Sequence, residues 1–327
     1  MTGDARAQTR HATGDPVAQT RHATGDPVAQ TRHTTGDPLA QTRLTTGGAL
    51  PRTVGVFGGG RMGSGIAHAF LASGSHVIVV ENGPEAADQA NARVGDSLAK
   101  AGAKGKLEVP LPDAQARLRT TTDPGELAPC ELVIEAVPED VALKAEVLAL
   151  IERRAPDAVL ASNTSSLSIG GLAAGLASPG RFLGLHFFNP VPVSDLVEIV
   201  TGPRTEPALV TRAQEWVTAL GKTPITVADS PGFASSRLGV CLALEAMRML
   251  EEGVASAADI DTAMTLGYRH PMGPLRTTDV VGLDVRLAIA EHLARELGPR
   301  FEPPRILRDL VTAGHLGRKT GQGFYTW

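Results

Sequence analysis

Cysteine is nearly missing from this chain, and two in 327 residues cannot build a disulfide framework. Cys130 and Cys241 stand far apart in sequence, each in apolar company, so they read as reduced structural thiols rather than as a bridge or a metal site. Positive charge is not in excess either. A net charge of -4 excludes the basic surface that nucleic-acid binding needs and turns attention to small-molecule partners. Also lacking is any run of eighteen apolar residues, which excludes a transmembrane helix, and the polar opening residues predict no secretory signal. A cytoplasmic protein without a membrane partner is expected. Aromatic residues amount to only 4%, but hydrophobic residues reach 42%, as in an ordinary globular protein long enough for two domains.

What is present begins with a repeat. Residues 1 to about 46 follow an eleven-residue period: Thr-Gly-Asp-Pro-Val-Ala-Gln-Thr-Arg-His-Ala begins at Thr13 and recurs at Thr24 and, altered, at Thr35. Each unit offers only Val or Leu and a little Ala for burial, and Gly-Asp-Pro breaks a helix, so the entropy of ordering cannot be offset. The prediction is a disordered extension over residues 1–50. Its evenly spaced His11, His22 and His33 leave loose metal binding open as an alternative, although no metal is assigned.

From residue 51 the pattern changes to strand, glycine turn, helix. Thr53 to Phe57 is a short apolar strand, Gly58-Gly-Gly-Arg-Met-Gly63 follows at once, and Ser64 to Leu71 has helical spacing. Gly58 permits the tight turn, Gly60 lets the backbone approach a pyrophosphate, and Gly63 lets helix and strand pack closely. Arg61 and Met62 lie within the same turn, whose helical amides face the phosphates. A second strand, His76 to Val80, ends in Glu81, where an acid holds the adenosine ribose hydroxyls; Asn82 and Gly83 come next instead of an arginine, which favours NAD over NADP. Residues 84–124 read as a helical excursion on the surface. Leu132 to Val137 is another buried strand, followed by Pro138-Glu-Asp and a helix over Val141 to Arg154. Glu139 and Lys144 are candidates for cofactor contacts, with a solvated ion pair on the first helical turn as the alternative. The strand Ala158 to Ala161 runs into Ser162-Asn-Thr-Ser-Ser166, whose Asn163 and Ser165 suit hydrogen bonding to a polar ligand, although helix capping also explains them.

Leu183 to Phe188 and Leu196 to Val200 read as two short buried strands joined by a proline-rich turn, and each carries one ionisable residue, His186 and Glu198. A carboxylate inside an apolar run needs a partner. The pair therefore looks like a base and its orienter, against the plainer alternative of a core histidine and an unrelated edge glutamate. Arg212 to Leu220 reads as a helix and Pro224 to Val227 as a last strand. Beyond Asp229-Ser-Pro-Gly-Phe233 the chain reads as helical, over Leu238 to Gly253, Ala257 to Leu266, Val285 to Leu297 and Arg305 to Ala313, with a rigid turn at Gly267 to Pro274. The fold class is thus α/β: a Rossmann-type, mostly parallel sheet domain over 51–229, then an all-α domain over 230–327, with the substrate in the cleft between them.

These segments together resemble the L-3-hydroxyacyl-CoA dehydrogenases, and most of all the short bacterial 3-hydroxybutyryl-CoA dehydrogenases, over about residues 51–327. The resemblance rests on Gly58 to Ala67, Glu139 with Lys144, Ser162 to Leu167, His186-Phe-Phe-Asn-Pro190, Leu196-Val-Glu-Ile199, Pro231-Gly-Phe233 with Arg237, and Lys319-Thr-Gly-Gln-Gly-Phe-Tyr325. It implies that His186 is the catalytic base and Glu198 its orienter. It further implies that Ser165, Asn189, Glu139, Lys144 and Lys319 lie on the cofactor or substrate, with Ser165 holding the reacting oxygen or the thioester carbonyl. NAD-dependent oxidation of an (S)-3-hydroxyacyl-CoA, and its reversal, is the implied activity, in a homodimer joined through the helical domain. One position departs from the pattern: Ser236 stands where the family usually has asparagine, and it is expected at the substrate as an assisting hydroxyl, or else as a helix cap. Two other readings remain open. One is the same chemistry on a carrier-protein thioester or another 3-hydroxy acid, and the other is a binding or structural relative without turnover, as among lens crystallins.

Overall fold

Eight strands form one sheet in the order β3-β2-β1-β4-β5-β6-β7-β8. The strands are β1 Thr53–Phe57, β2 His76–Val80, β3 Leu118–Thr121, β4 Leu132–Glu135, β5 Val159–Ser162, β6 Phe182–Phe187, β7 Leu196–Thr201 and β8 Thr223–Ala228. This computed structural model describes residues 50–327, so the repeats, their histidines and the expected disordered extension lie outside the described residues. Strands β1 to β6 are parallel, β7 turns antiparallel to β6, and β8 runs parallel to β7. The first six strands thus follow the doubly wound order with its switch point between β1 and β4.

Helices cover both faces because the strands are apolar on both. Along β4, Leu132 and Ile134 enter one core with Ile66 and Phe70 of α1 (Arg61–Ala72), Val94 and Leu98 of α2 (Pro84–Gly102) and Ala114 of α3 (Leu111–Ala116). Val133, pointing the other way, joins Leu148 and Ile151 of α4 (Val141–Arg154) and Ile169 and Leu172 of α5 (Ile169–Leu172). Trp216 of α6 (Pro207–Ala219) closes the first face beneath β7 and β8. The remaining helices, α7 Ser235–Glu251, α8 Ala257–Thr262, α9 Pro274–Val281, α10 Leu283–Leu297 and α11 Arg305–Thr312, pack around Leu244, Met247, Leu275, Leu293 and Leu307. Asp279, buried on α9, pins the C-terminal tail by accepting from the Phe324 and Tyr325 amides and from Trp327 Nε1 at 2.8–2.9 Å.

Several expectations need correcting. The region 84–124 is not wholly helical: Leu118–Thr121 is the edge strand β3, which pairs with β2. The Gly267 to Pro274 turn ends in a helix, α9, that the sequence reading omitted. Helix α6 starts five residues before Arg212, with Pro207 as its first residue. Cys130 is buried, and burial pushes its thiol up to about 12, as a structural thiol requires, but Cys241 is exposed on α7.

Candidate active site

The glycine turn sits at the carboxyl end of β1. Gly58 has φ +97, a conformation that disfavours any side chain, and a Cβ there would stand 2.9 Å from the Ala136 carbonyl oxygen. A Cβ on Gly63 would collide with the Gly58 carbonyl, whereas over Gly60 nothing lies within 4 Å. Helix α1 has no side-chain cap, so its first amides are open toward a cleft of about 670 Å³ whose walls include Gly58, Gly60, Arg61, Met62 and Glu81. Glu81 Oε1 accepts from the Gly59 amide at 2.6 Å, which places the carboxylate at the rim of this cleft. Arg93 of α2 ties the turn from behind, donating to the Gly59 carbonyl at 2.8 Å; it lay in a stretch without any motif. An anion against the uncapped amides and hydroxyls against Glu81 are what this cleft fits, and both belong to a dinucleotide.

At the ends of β4 and β5 lies a network of buried charge. Lys144 is neither solvated nor turned to the cleft: it is 1% exposed, with Nζ 2.7 Å from Glu135 Oε1 and 3.3 Å from Glu139 Oε2. Glu135, fully buried, also accepts from Ser162 at 2.6 Å. Glu139 Oε1 in turn accepts from Thr164 Oγ1 at 2.5 Å and from the Ser165 and Ser166 amides at 2.9 and 3.2 Å. The loop bearing Ser165 is therefore held by Glu139. Asn163 is buried and accepts the Phe187 amide at 2.9 Å, which fixes this loop against the end of β6.

His186 and Glu198 face one another directly in the antiparallel register of β6 and β7. Nδ1 of His186 lies 2.7 Å from Glu198 Oε2, with His186 6% exposed and Glu198 fully buried. Phe188 and Phe233 flank the imidazole, with ring centroids at 4.5 and 5.9 Å. Burial alone would raise the Glu198 carboxyl, but hydrogen bonds from His186 and Ser235 outweigh it and hold the group below the usual carboxylate range. Both oxygens are saturated: Oε2 also accepts from Ser235 Oγ at 2.6 Å, and Oε1 accepts from the Ser235 and Ala234 amides at 2.9 and 3.2 Å. An ionised carboxylate has no proton to donate, so Nδ1 carries the hydrogen and Nε2 presents its lone pair. That arrangement can accept a proton from a hydroxyl.

The other residues singled out in the sequence lie as follows. Ser165 is half-buried on its loop, and Asn189 is exposed in the turn after β6. Ser236 is the second residue of α7, whose N-cap is Ala234, so it does not cap the helix. Lys319, in the C-terminal tail, pairs with Asp284 of α10 at 2.6 Å and does not line the dinucleotide cleft. Three residues of these networks were missed: Ser235, Arg93 and Glu135. Among the described residues, no group of three or more His, Cys, Asp or Glu is placed to hold a metal, and no helix is long and apolar enough to cross a membrane.

Two family models match, the 3-hydroxyacyl-CoA dehydrogenase NAD binding domain over residues 53–230 and the C-terminal domain of that family over residues 232–327. A 3-hydroxybutyryl-CoA dehydrogenase of Mycobacterium tuberculosis is 45% identical over 279 residues, covering 84% of this chain and 98% of its own length. The mitochondrial hydroxyacyl-coenzyme A dehydrogenase of Sus scrofa is 38% identical over 284 residues, 84% of this chain and 90% of its own. Among solved structures, the (S)-3-hydroxybutyryl-CoA dehydrogenase of Ralstonia eutropha superposes with a TM-score of 0.81 at 42% identity, covering 85% of this chain and 99% of that one.

Proposed function

The chain belongs to the 3-hydroxyacyl-CoA dehydrogenase family, whose members are NAD-dependent oxidoreductases, and from that premise we propose that it interconverts short (S)-3-hydroxyacyl-CoA and 3-oxoacyl-CoA thioesters, with His186 as the proton-transfer group. The observation that carries this reading is His186 Nδ1 held at 2.7 Å by a fully buried, ionised Glu198, which leaves Nε2 free. Nε2 takes the proton of the C3 hydroxyl as the C3–H bond breaks. NAD, when bound, supplies the acceptor for the hydride. Glu198 fixes the tautomer and stabilises the imidazolium, and in the reverse direction His186 returns the proton to the 3-oxo oxygen. Ser165, on the loop that Glu139 anchors, holds the reacting oxygen or the thioester carbonyl. Gly60, Arg61 and Met62 would receive the pyrophosphate, on a turn that Gly58 and Gly63 shape, and Glu81 would receive the ribose and repel a 2′-phosphate. Asn189, Asn163 and Lys319 complete the cofactor and substrate contacts.

Exposed Leu238, Val281 and Val285 on the helical domain support a homodimer joined through that domain, since such side chains gain by being covered. The two free cysteines agree with a reducing, cytoplasmic location. Consumption of NADH with acetoacetyl-CoA, followed by absorbance, tests the activity: turnover with NADH well above that with NADPH is expected. Turnover only with a carrier-protein thioester would replace CoA in the proposal, and no turnover with either would leave a binding protein.

A further inference from the structure

Between His186 on β6 and Glu198 on β7 the chain passes through a turn that has almost nothing of its own to bury. Over residues 189–195 Val191 alone is buried, while Asn189, Pro190, Pro192, Val193 and Asp195 are exposed. A segment with so few buried contacts opens easily unless other elements hold it.

Two elements from distant parts of the sequence do so. One is α1, the helix that follows the glycine turn: a Cβ on its Gly65 would stand 2.9 Å from Val191 Cβ and Cγ2, so the turn lies directly on the helix. The other is Lys222, between α6 and β8, whose Nζ donates to the Val191 carbonyl at 2.7 Å and to the Ser194 carbonyl at 2.6 Å. The next amide, that of Thr223, donates to the Asp195 carbonyl at 2.5 Å, so Lys222 takes two carbonyls just ahead of the β7–β8 ladder. His68, one turn beyond Gly65 on the same face of α1, feels this ammonium: after burial, the charge of Lys222 is the second cause that keeps its imidazole neutral. The lysine itself is half-buried, and burial holds its amine below the usual lysine range against the pull of Asp195. Taking an ammonium out of water onto two neutral oxygens costs solvation that a surface lysine keeps, and hydrogen bonds from a charged donor are the strong ones. What the arrangement fixes is the course of the chain beside Asn189.

We propose that Lys222 is a positioning residue for the cofactor: it clamps the β6–β7 turn against α1, the helix of the glycine turn, and so holds Asn189 in place for the dinucleotide. The inference rests on the reading of Asn189 as a cofactor contact. Lys222 takes no part in the proton transfer, which stays with His186 and Glu198.

The test measures NADH affinity by fluorescence titration, together with steady-state reduction of acetoacetyl-CoA, in the full-length native protein, Lys222→Met, Lys222→Cys, Asn189→Ala and the double variant of Lys222→Met with Asn189→Ala. Lys222→Met keeps the aliphatic stem and removes the charge; Kd for NADH should rise by about three- to tenfold, roughly the weight of one hydrogen bond. KM for NADH should follow, with kcat at saturating NADH within about twofold of native and its pH profile unmoved, the split expected of lost binding rather than lost chemistry. Alkylation of Lys222→Cys with 2-bromoethylamine returns an ammonium at nearly the same reach and should restore NADH affinity. The reference is native protein treated alike, because the reagent also reaches the exposed Cys241. A lysine that serves folding alone would lower the melting temperature and leave NADH affinity untouched. In the double variant the loss should be no larger than in Asn189→Ala, since both changes act through one contact. Native affinity in Lys222→Met beside a weakened Asn189→Ala overturns the clamp, as do additive losses in the double variant or a confirmed alkylation that restores nothing. Native affinity in Asn189→Ala would instead remove the parent reading of that residue.

Discussion

Ser235 and Ser236 carry the same side chain on neighbouring positions and do different things. The Ser235 hydroxyl donates to the carboxylate oxygen that also receives His186 Nδ1, whereas the Ser236 hydroxyl bonds no group among the described residues. Ser235→Ala should lower kcat by about two- to tenfold, the weight of one hydrogen bond, with KM little changed and activity recovered in Ser235→Thr. Ser236→Ala should leave the melting temperature unchanged and act on kcat/KM for acetoacetyl-CoA. Intact kinetics in Ser235→Ala would show that the amides alone hold Glu198. The sequence reading reached His186 and Glu198 because ionisable residues interrupt apolar strands. It reached Ser236 because the position departs from a family pattern. Glu135 interrupts the apolar run Leu132 to Val137 in the same way as His186 and Glu198 and was passed over, whereas Ser235 and Arg93 offered neither signal, because a hydrogen bond formed across the fold leaves no periodicity in the local sequence.

At the scale of elements, what could be read was what is apolar and uninterrupted. Strands β1 and β2 and helix α4 lie where the spacing put them, since each buries a continuous face. Strand β3 was lost because Leu-Arg-Thr-Thr has a single apolar residue, as an edge strand with one neighbour can. Helix α9 was lost behind Gly273 and Pro274, residues that punctuate turns but also start helices. Lys144, read as a candidate cofactor contact or as half of a solvated ion pair, lies buried against Glu135 across on β4, a pairing that no local pattern on its own helix announces. Helix α1 conceals a different consequence. His68 is 5% exposed with Nδ1 unpaired, and burial first, then the charge of Lys222, pushes it down to about 4. The native state holds this imidazole neutral while the unfolded chain protonates it near pH 6.5, so stability should fall as pH drops from 6.5 toward 4, by on the order of 3 kcal/mol. Melting temperatures of the native protein and His68→Leu between pH 7 and pH 4.5 measure this. The variant should decline less steeply, and parallel declines would mean that His68 does not contribute.

For the whole molecule, one point where sheet and helical domains meet is the Glu198 carboxylate. Glu198 belongs to β7, yet its Oε1 accepts from the Ala234 and Ser235 amides, the first amides of α7, so one side chain orients the imidazole and caps the helix that opens the second domain. A carboxylate at a helix N-terminus also interacts favourably with the helix dipole. Two substitutions separate these duties. His186→Gln should cut kcat by about 10²- to 10⁴-fold and leave the cap in place, so its melting temperature should stay near the native value. Glu198→Gln should damage kcat similarly and also lose about 0.5–2 kcal/mol of stability, a fall of roughly 2–6 °C in Tm for a protein of this size. The sign of the pH dependence follows from the depressed carboxyl of Glu198: its stabilising contribution is complete above the carboxylate range of the unfolded chain and is lost as pH falls through the lower value it has in the fold. The Tm gap between native protein and Glu198→Gln should therefore be widest at neutral pH and close on acidification, while the gap for His186→Gln should not follow that course. Calorimetry on both variants from pH 7 downward decides it. Equal Tm losses that ignore pH would mean that Glu198 serves the histidine alone, and half the native turnover in His186→Gln would place the proton transfer on another group.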